Sequence, residues 1–356
     1  MSWSHPSAGL AAEHGGLPRL ALRLHGGLHP ARCVELARIA EEAGLDSVWF
    51  AENLFERGVL PAAAACAVAT RRMRVGIGVF NPYNRHPTLM AMEMGALDEI
   101  AAGRAVLGIG AGVPSTLRQI GCGYERPLTA VREAVTIVRG LLAGEDVTRH
   151  GRVFVVDRVK LGCGPRPRLP IFIAAMTERA LRLCGEVGDG LIIGNMCPPA
   201  FTGHALRVMQ AGAEAAGREG PAEVVKYVPC AVAEDGPAAR RAVKAAIGRM
   251  LGAYWQAYAD VPPVRSAIFD SSGIESAQFS DAMRRLAGGE SAEAVLDDRF
   301  VAAYAVAGTA QECVEQLRAH RRAGVTEIAV SCGGNDPGAA LRALGAAVRA
   351  ESGRPG

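Results

Sequence analysis

Glu52 and Asn53 follow the apolar run SVWF at 47–50 across a single alanine, and an acid beside an amide at such a point suits proton handling next to a bound ligand. The plainer alternatives are a helix cap or an ion pair with Arg57 for Glu52, and a turn former for Asn53. His25 ends another apolar run, LALRL at 20–24, where an imidazole either relays a proton or is a hydrogen-bonded core histidine. A third run, VGIGVF at 75–80, leads into Asn81-Pro82-Tyr83-Asn84-Arg85-His86-Pro87, more polar and aromatic chemistry than a plain connector needs. There Arg85 and His86 read either as contacts to an anionic ligand or as a solvated loop charge and a helix cap.

The ends of the other apolar runs carry few acids or bases and many small residues. They are Gly110-Ala111-Gly112, Ala175-Met176-Thr177, Gly194-Asn195 and Ser331-Cys332-Gly333-Gly334. Such ends suit a large flat ligand lying against backbone, with a phosphate met by peptide N–H groups at a helix start, as at Met176-Thr177. Ordinary turn chemistry is the competing reading. Cys197 and Cys332 read as buried thiols near the same ends.

Holding these residues together requires strands whose C-terminal ends converge. Short apolar runs at 20–24, 47–50, 74–79, 105–109, 171–174, 190–193, 224–232 and 327–331 predict eight strands. Their near-continuous hydrophobicity is that of strands covered on both faces. Helical patterns alternate with them at 30–43, 61–70, 88–100, 127–143, 177–187, 198–217, 237–258, 311–323 and 337–350. This α/β alternation predicts a (β/α)8 TIM barrel over 19–350, with its site at the C-terminal strand ends. An open doubly wound sheet is the alternative, but Gly108-Ile109-Gly110-Ala111-Gly112 lacks the third glycine of the dinucleotide fingerprint. Alternating residues around His150-Gly151 predict a small β-hairpin insertion over 147–161. A helical insertion is expected over 250–296, where Tyr254, Trp255 and Tyr258 either pack or roof the pocket. Residues 1–18 and 351–356 read as tails.

Of 356 residues, 39 are basic and 36 acidic, so charge gives no argument for a nucleic-acid or membrane partner. A hydrophobic share of 49% fits a globular chain with a large core. No apolar run approaches membrane-spanning length, and the first residues lack a signal-peptide pattern. Nine scattered cysteines without a C-x-x-C pair read as free thiols of a cytoplasmic protein, and no metal site is expected.

Four segments in register resemble the luciferase-like flavin and deazaflavin oxidoreductases, most of all the branch containing methylenetetrahydromethanopterin reductase. They are AEEAGLDSVWFAEN (40–53), RVGIGVFNPYNRHPTLMAMEMGALDEIAAGRAVLGIGAG (74–112), PIFIAAMTERALRLCGEVGDGLIIGN (170–195), and DDRFVAAYAVAGTAQECVEQL with AGVTEIAV (within 297–330). The resemblance implies a TIM barrel that binds coenzyme F420, or alternatively FMN, at its C-terminal mouth, and a homodimer. It also implies hydride transfer from reduced F420 to a C=C or C=N bond. An FMN-dependent monooxygenase and a non-catalytic flavin-binding relative are the alternatives.

By matching position, the resemblance implies a cis Gly78–Val79 bond whose bulge backs the cofactor's central ring. It places Asn81, Gly112 and Thr116 beside the cofactor, backbone of Ala175, Met176 and Thr177 at its phosphate, and Gly194 and Asn195 on the rim. Glu52, Asn53 and His25 become the candidate catalytic residues. Two departures count against a sugar-phosphate dehydrogenase. Asn53 stands where those relatives carry a histidine base and has no titrating group, and Cys197 replaces their phosphate-binding lysine. The 250–296 section has no counterpart in the resemblance and is expected to choose the substrate.

Overall fold

The computed structural model of this protein describes residues 16–333 and 336–352. Gly334 and most of the expected N-terminal tail lie outside the described residues, as do residues 353–356 of the expected C-terminal tail. In chain order the first half runs β1 (Arg19–His25), α1 (Pro30–Glu42), β2 (Ser47–Ala51), α2 (Val59–Ala69), β3 (Arg74–Phe80), α3 (Pro87–Ile100), β4 (Ala105–Ile109), α4 (Pro114–Gln119) and α5 (Pro127–Leu142). A hairpin, β5 (Val147–His150) and β6 (Val155–Val159), precedes β7 (Ile171–Ala174), α6 (Glu178–Val187), β8 (Gly190–Ile193), α7 (Pro199–Ala215), β9 (Glu223–Val232) and α8 (Gly236–Tyr258). The remainder is α9 (Pro262–Ile268), α10 (Ser276–Ala287), α11 (Ala292–Val295), α12 (Asp298–Tyr304), β10 (Val306–Gly308), α13 (Ala310–Arg322), β11 (Glu327–Cys332) and α14 (Pro337–Ser352).

Strands β1, β2, β3, β4, β7, β8, β9 and β11 pair in parallel in that order, and the β11–β1 pairing closes the ring. The fold is therefore the expected TIM barrel. β10 adds a short parallel pairing to the upper part of β9, with Val306 opposite Cys230. At three residues it is too short to carry a period, and the sequence pattern missed it together with the one-and-a-half-turn α4.

The barrel interior is filled by Ala21, Trp49, Val106, Phe172, Ile192, Val225, Tyr227 and Ala329. Trp49 lies 5.8 Å from the Phe172 ring and 6.3 Å from the Tyr227 ring, centroid to centroid. Below this layer the N-terminal strand ends carry charge. Glu327 is fully buried and accepts from Ser47 Oγ at 2.7 Å and Trp49 Nε1 at 2.6 Å, with Arg19 Nε at 3.1 Å. Glu223 pairs with Arg19 and with Arg74, the latter at 2.6 Å.

The hairpin is tied down by one carboxylate. Buried Glu133 on α5 accepts from the backbone N–H groups of Arg152, Val153 and Phe154 at 2.7–3.0 Å. Burial opposes its ionisation, but those three donors outweigh the cost and hold its carboxyl below the usual range. In the helical section, Trp255 packs at 5.0 Å from Phe269 and 5.8 Å from Phe279, and Phe279 at 5.4 Å from Phe300. Trp255 thus packs among the aromatic side chains of the helical section, which are continuous with the main core around the barrel.

Candidate active site

The three candidate catalytic residues separate into two groups. Glu52 sits just beyond β2 with a side chain only 10% exposed, and its Oε1 receives Arg85 Nη2 at 2.7 Å. Its Oε2 is buried and has no hydrogen-bond partner. Arg85 also reaches Glu93 at 3.4 Å and lies 4.2 Å above the Phe80 ring. Arg85 is therefore a partly buried ion-pair partner rather than a solvated loop charge. The alternative pairing of Glu52 with Arg57 is not formed, because Arg57 donates to the carbonyls of Gly26 and Gly27.

His25 and Asn53 instead meet on Glu56. His25 Nδ1 lies 3.3 Å from Glu56 Oε2, and Asn53 Nδ2 donates to the same oxygen at 3.0 Å. Burial works against ionisation of Glu56, yet the Asn53 and His25 hydrogen bonds outweigh it and keep its carboxyl below the ordinary range. Gly27 N–H lies 3.1 Å from the same Nδ1, which accepts from it only in the tautomer protonated at Nε2 and donates to Glu56 only when it carries the proton itself. His86 caps α3 by accepting from Thr88 N–H at 3.3 Å, in line with the plainer of its two readings.

The adjoining strands β3 and β4 present a wall of glycine backbone. The Gly78–Val79 peptide bond is cis, and the β3–β4 register shifts between Ile77 and Phe80. A Cβ on Gly78 would collide with Tyr227 Oη and approach Trp49 Cε3 to 3.1 Å. A Cβ on Gly110 would stand 2.8 Å from Val79 Cγ2, and one on Gly112, at φ +81°, 2.9 Å from Asn81 Cγ. Asn81 itself is buried, and its Oδ1 accepts from the N–H groups of Tyr83 and Asn84 at 3.1 and 3.2 Å, which shapes the loop after β3. Thr116 lies farther out on α4, with its hydroxyl donating to Val113 O at 3.0 Å.

Four pairings around the barrel from β1 stands β7. Beyond it, Ala175 N–H donates to Ile192 O at 3.3 Å, and Met176 leads to Thr177 at the N-terminus of α6. The Thr177 side chain makes no capping hydrogen bond, so the first amides of α6 have no side-chain acceptor there. After β8, Gly194 has no heavy atom within 4 Å of a Cβ position, and Asn195 Oδ1 is buried without a partner. Cys197 is buried, and its carbonyl receives the Lys226 ammonium. Burial pushes the Cys197 thiol up to about 11, unlike an activated nucleophile.

Sequence reasoning missed Arg23, Tyr227, Glu56 and Tyr124, and named Tyr83, Tyr254 and Tyr258 without pairing them. Tyr83 and Tyr124 stand 5.5 Å apart and Tyr254 and Tyr258 5.9 Å apart, with Tyr258 within electrostatic reach of Tyr124 and Tyr254 within reach of Arg23. The available signal for Arg23 was a lone charge inside LALRL, two residues from core-facing Ala21.

Residues 14–327 match the family model described as luciferase-like monooxygenase. The chain belongs to that family. Among its luciferase-like relatives, 5,10-methylenetetrahydromethanopterin reductase of Archaeoglobus fulgidus is 32% identical over 296 residues, covering 82% of this chain and 86% of the relative. F420-dependent glucose-6-phosphate dehydrogenase of Nakamurella multipartita is 31% identical over 204 residues, 53% of this chain and 60% of the relative. The solved structure of coenzyme F420 dependent tetrahydromethanopterin reductase from Methanopyrus kandleri superposes with a TM-score of 0.82 at 22% identity, covering 92% of this chain and 97% of that one. That likeness establishes the shared barrel. Among the described residues of this luciferase-like chain, no group of three or more His, Cys, Asp or Glu is placed to hold a metal ion. No described helix is long and apolar enough to cross a membrane.

Proposed function

We propose that this luciferase-like protein is a coenzyme F420-dependent oxidoreductase that carries hydride from reduced F420 to a C=C or C=N bond of a small organic substrate. The observation that carries this reading is the backbone wall at Gly78, Gly110 and Gly112, where added Cβ atoms would collide with their neighbours, beside the uncapped start of α6, which follows β7, the strand paired with β4. A flat ring fits against the first and an anionic tail against the second. The orphaned oxygen of Asn195 offers an acceptor on the same rim. The F420 named for the glucose-6-phosphate dehydrogenase relative supports the same cofactor.

When bound, F420 supplies the hydride chemistry. The protein's own part is to orient the ring, exclude water and move a proton. Glu52 takes the proton-relay part through the oxygen that Arg85 leaves free, and Arg85 fixes the carboxylate's orientation. Asn53 has no titrating group and instead holds Glu56, which positions His25.

The test is a fluorescence titration of purified protein with oxidised F420 and, separately, with FMN. Saturable F420 binding with much weaker FMN binding is expected. Tight FMN binding without F420 binding would transfer the protein to the FMN monooxygenases, and binding of neither would make it a non-catalytic relative.

We further propose a cytoplasmic homodimer. All nine cysteines are free thiols, which suits a reducing compartment. The outer face of neighbouring α2 and α3 exposes Val68, Leu89, Met92 and Ile100, at 76, 46, 52 and 46%. An apolar stripe of this kind favours pairing with a second copy. Light scattering should give twice the chain mass of 37.2 kDa, and Met92→Glu with Ile100→Asp should halve it. A wild-type monomer would dismiss the pairing.

A further inference from the structure

Arg23 lies in the middle of β1, on the face that Ala21 turns into the barrel. Its guanidinium stands 4.9 Å over the Tyr227 ring, and Nη1 reaches Ser331 Oγ at 3.3 Å. Its Nε is buried without a partner. Arg19, Arg74 and Arg85 are each matched to a carboxylate, and Arg104 and Arg57 at the strand ends donate to backbone carbonyls. The carboxylate whose charge reaches Arg23 is that of Glu56, and it is engaged by His25 and Asn53. Burial lowers the Arg23 pKa from its ordinary value, which reflects the cost of keeping a guanidinium there. A guanidinium has five donors in a planar fork, and only one hydrogen bond uses them here.

We propose that Arg23 is the substrate-binding cation of the mouth, and that the substrate is an unsaturated organic acid whose carboxylate docks on Arg23 and Ser331. The proposal rests on the oxidoreductase reading for the bond that is reduced, and on Arg23 for the charge that is recognised. Two placements favour a substrate group over the cofactor's tail. The start of α6, suited to a phosphate, follows β7, on the far wall of the eight-stranded ring from β1. Tyr254 lies within electrostatic reach of Arg23, and its neighbour Tyr258 continues the aromatic surface toward Tyr124 and Tyr83. A planar body extending from the carboxylate would lie along those rings. The helical section thus contributes through Tyr254 and Tyr258, while Trp255 packs against Phe279.

The probes are trans-cinnamate and trans-cinnamamide, which share a planar body and differ in charge. Calorimetric titration of F420-loaded wild type should show cinnamate bound roughly ten- to a hundredfold more tightly than the amide, the range for a hydrogen bond to a charged group. Arg23→Met should erase that preference, Arg23→Lys should keep part of it, and F420 affinity should remain unchanged in both. Equal or undetectable binding of the two probes by wild type would overturn the proposal without any variant having to fold. So would a preference that survives in a folded Arg23→Met, or a loss of F420 affinity in that variant matching the loss of cinnamate. Repeating the wild-type titration without cofactor separates the two readings, because failure to bind F420 leaves the charge preference measurable.

Discussion

Glu52→Gln is expected to slow turnover with reduced F420 by about 10²–10⁴-fold, the usual contribution of a positioned acid–base group. The substitution preserves shape and an oxygen for the Arg85 Nη2 contact at 2.7 Å, so Arg85 stays anchored between position 52 and Glu93. What it removes is the ability of the second oxygen, buried and unpartnered, to take or release a proton. F420 affinity should therefore stay within about threefold, and the loss should appear in kcat. The pH profile of kcat should lose one of its limbs as well. A fall in kcat of less than tenfold with an unaltered pH profile would reduce Glu52 to an anchor for Arg85. Asn53→Ala makes a useful contrast: it frees Glu56 and loosens His25 without removing a titrating group, so it should alter rate without removing a limb.

The barrel was legible because its strands are near-continuous apolar runs, broken only by single charges such as Arg23 in β1 and Lys226 in β9, the mark of strands covered on both faces, and because helices alternate with them. Strand ends then pointed to the mouth with little further information. The partners at those ends were not legible. Glu52 and Arg85 are 33 positions apart, and nothing in the local pattern distinguishes Arg85 from a loop charge on the surface. His25 and Asn53 were read as neighbours of Glu52, but the loop after β2 turns Glu56 toward both. Trp255 and Tyr254 are consecutive on α8, and a step of about 100° around a helix sends one against Phe269 and Phe279 and the other toward Arg23. Spacing reports that such residues share a helix, not which of them faces the barrel. The cis Gly78–Val79 bond came from family resemblance, since no property of a Gly-Val pair announces it.

Glu327→Ala is expected to cost about 3–5 kcal/mol, the range for removing one partner of a buried ion pair. Glu327 is the common acceptor at the barrel floor for Ser47 and Trp49, and it is ion-paired to Arg19. Its loss strands an indole N–H and a hydroxyl in a fully buried layer and leaves Arg19 to Glu223 alone. Glu327→Gln should cost less, because Ser47 and Trp49 both donate to Oε1 and an amide oxygen in that place still accepts from both. Denaturant midpoints at constant slope would measure both, and a change under about 1 kcal/mol for the alanine variant would mean that water replaces the carboxylate. Glu223 adds a pH dependence to the same floor. Burial opposes its ionisation, but Arg74 and Arg19 hold its pKa below the unfolded value, so its stabilisation is complete above about pH 4.3 and is lost as pH falls through the folded value. The floor also bears on the mouth. Trp49, fixed by Glu327, is the ring that a Cβ on Gly78 would approach to 3.1 Å. Loosening Trp49 from below removes the support under the β3 bulge, so Glu327→Ala should weaken F420 binding in proportion to its loss of stability, although Glu327 lies at the opposite end of the barrel from the cofactor.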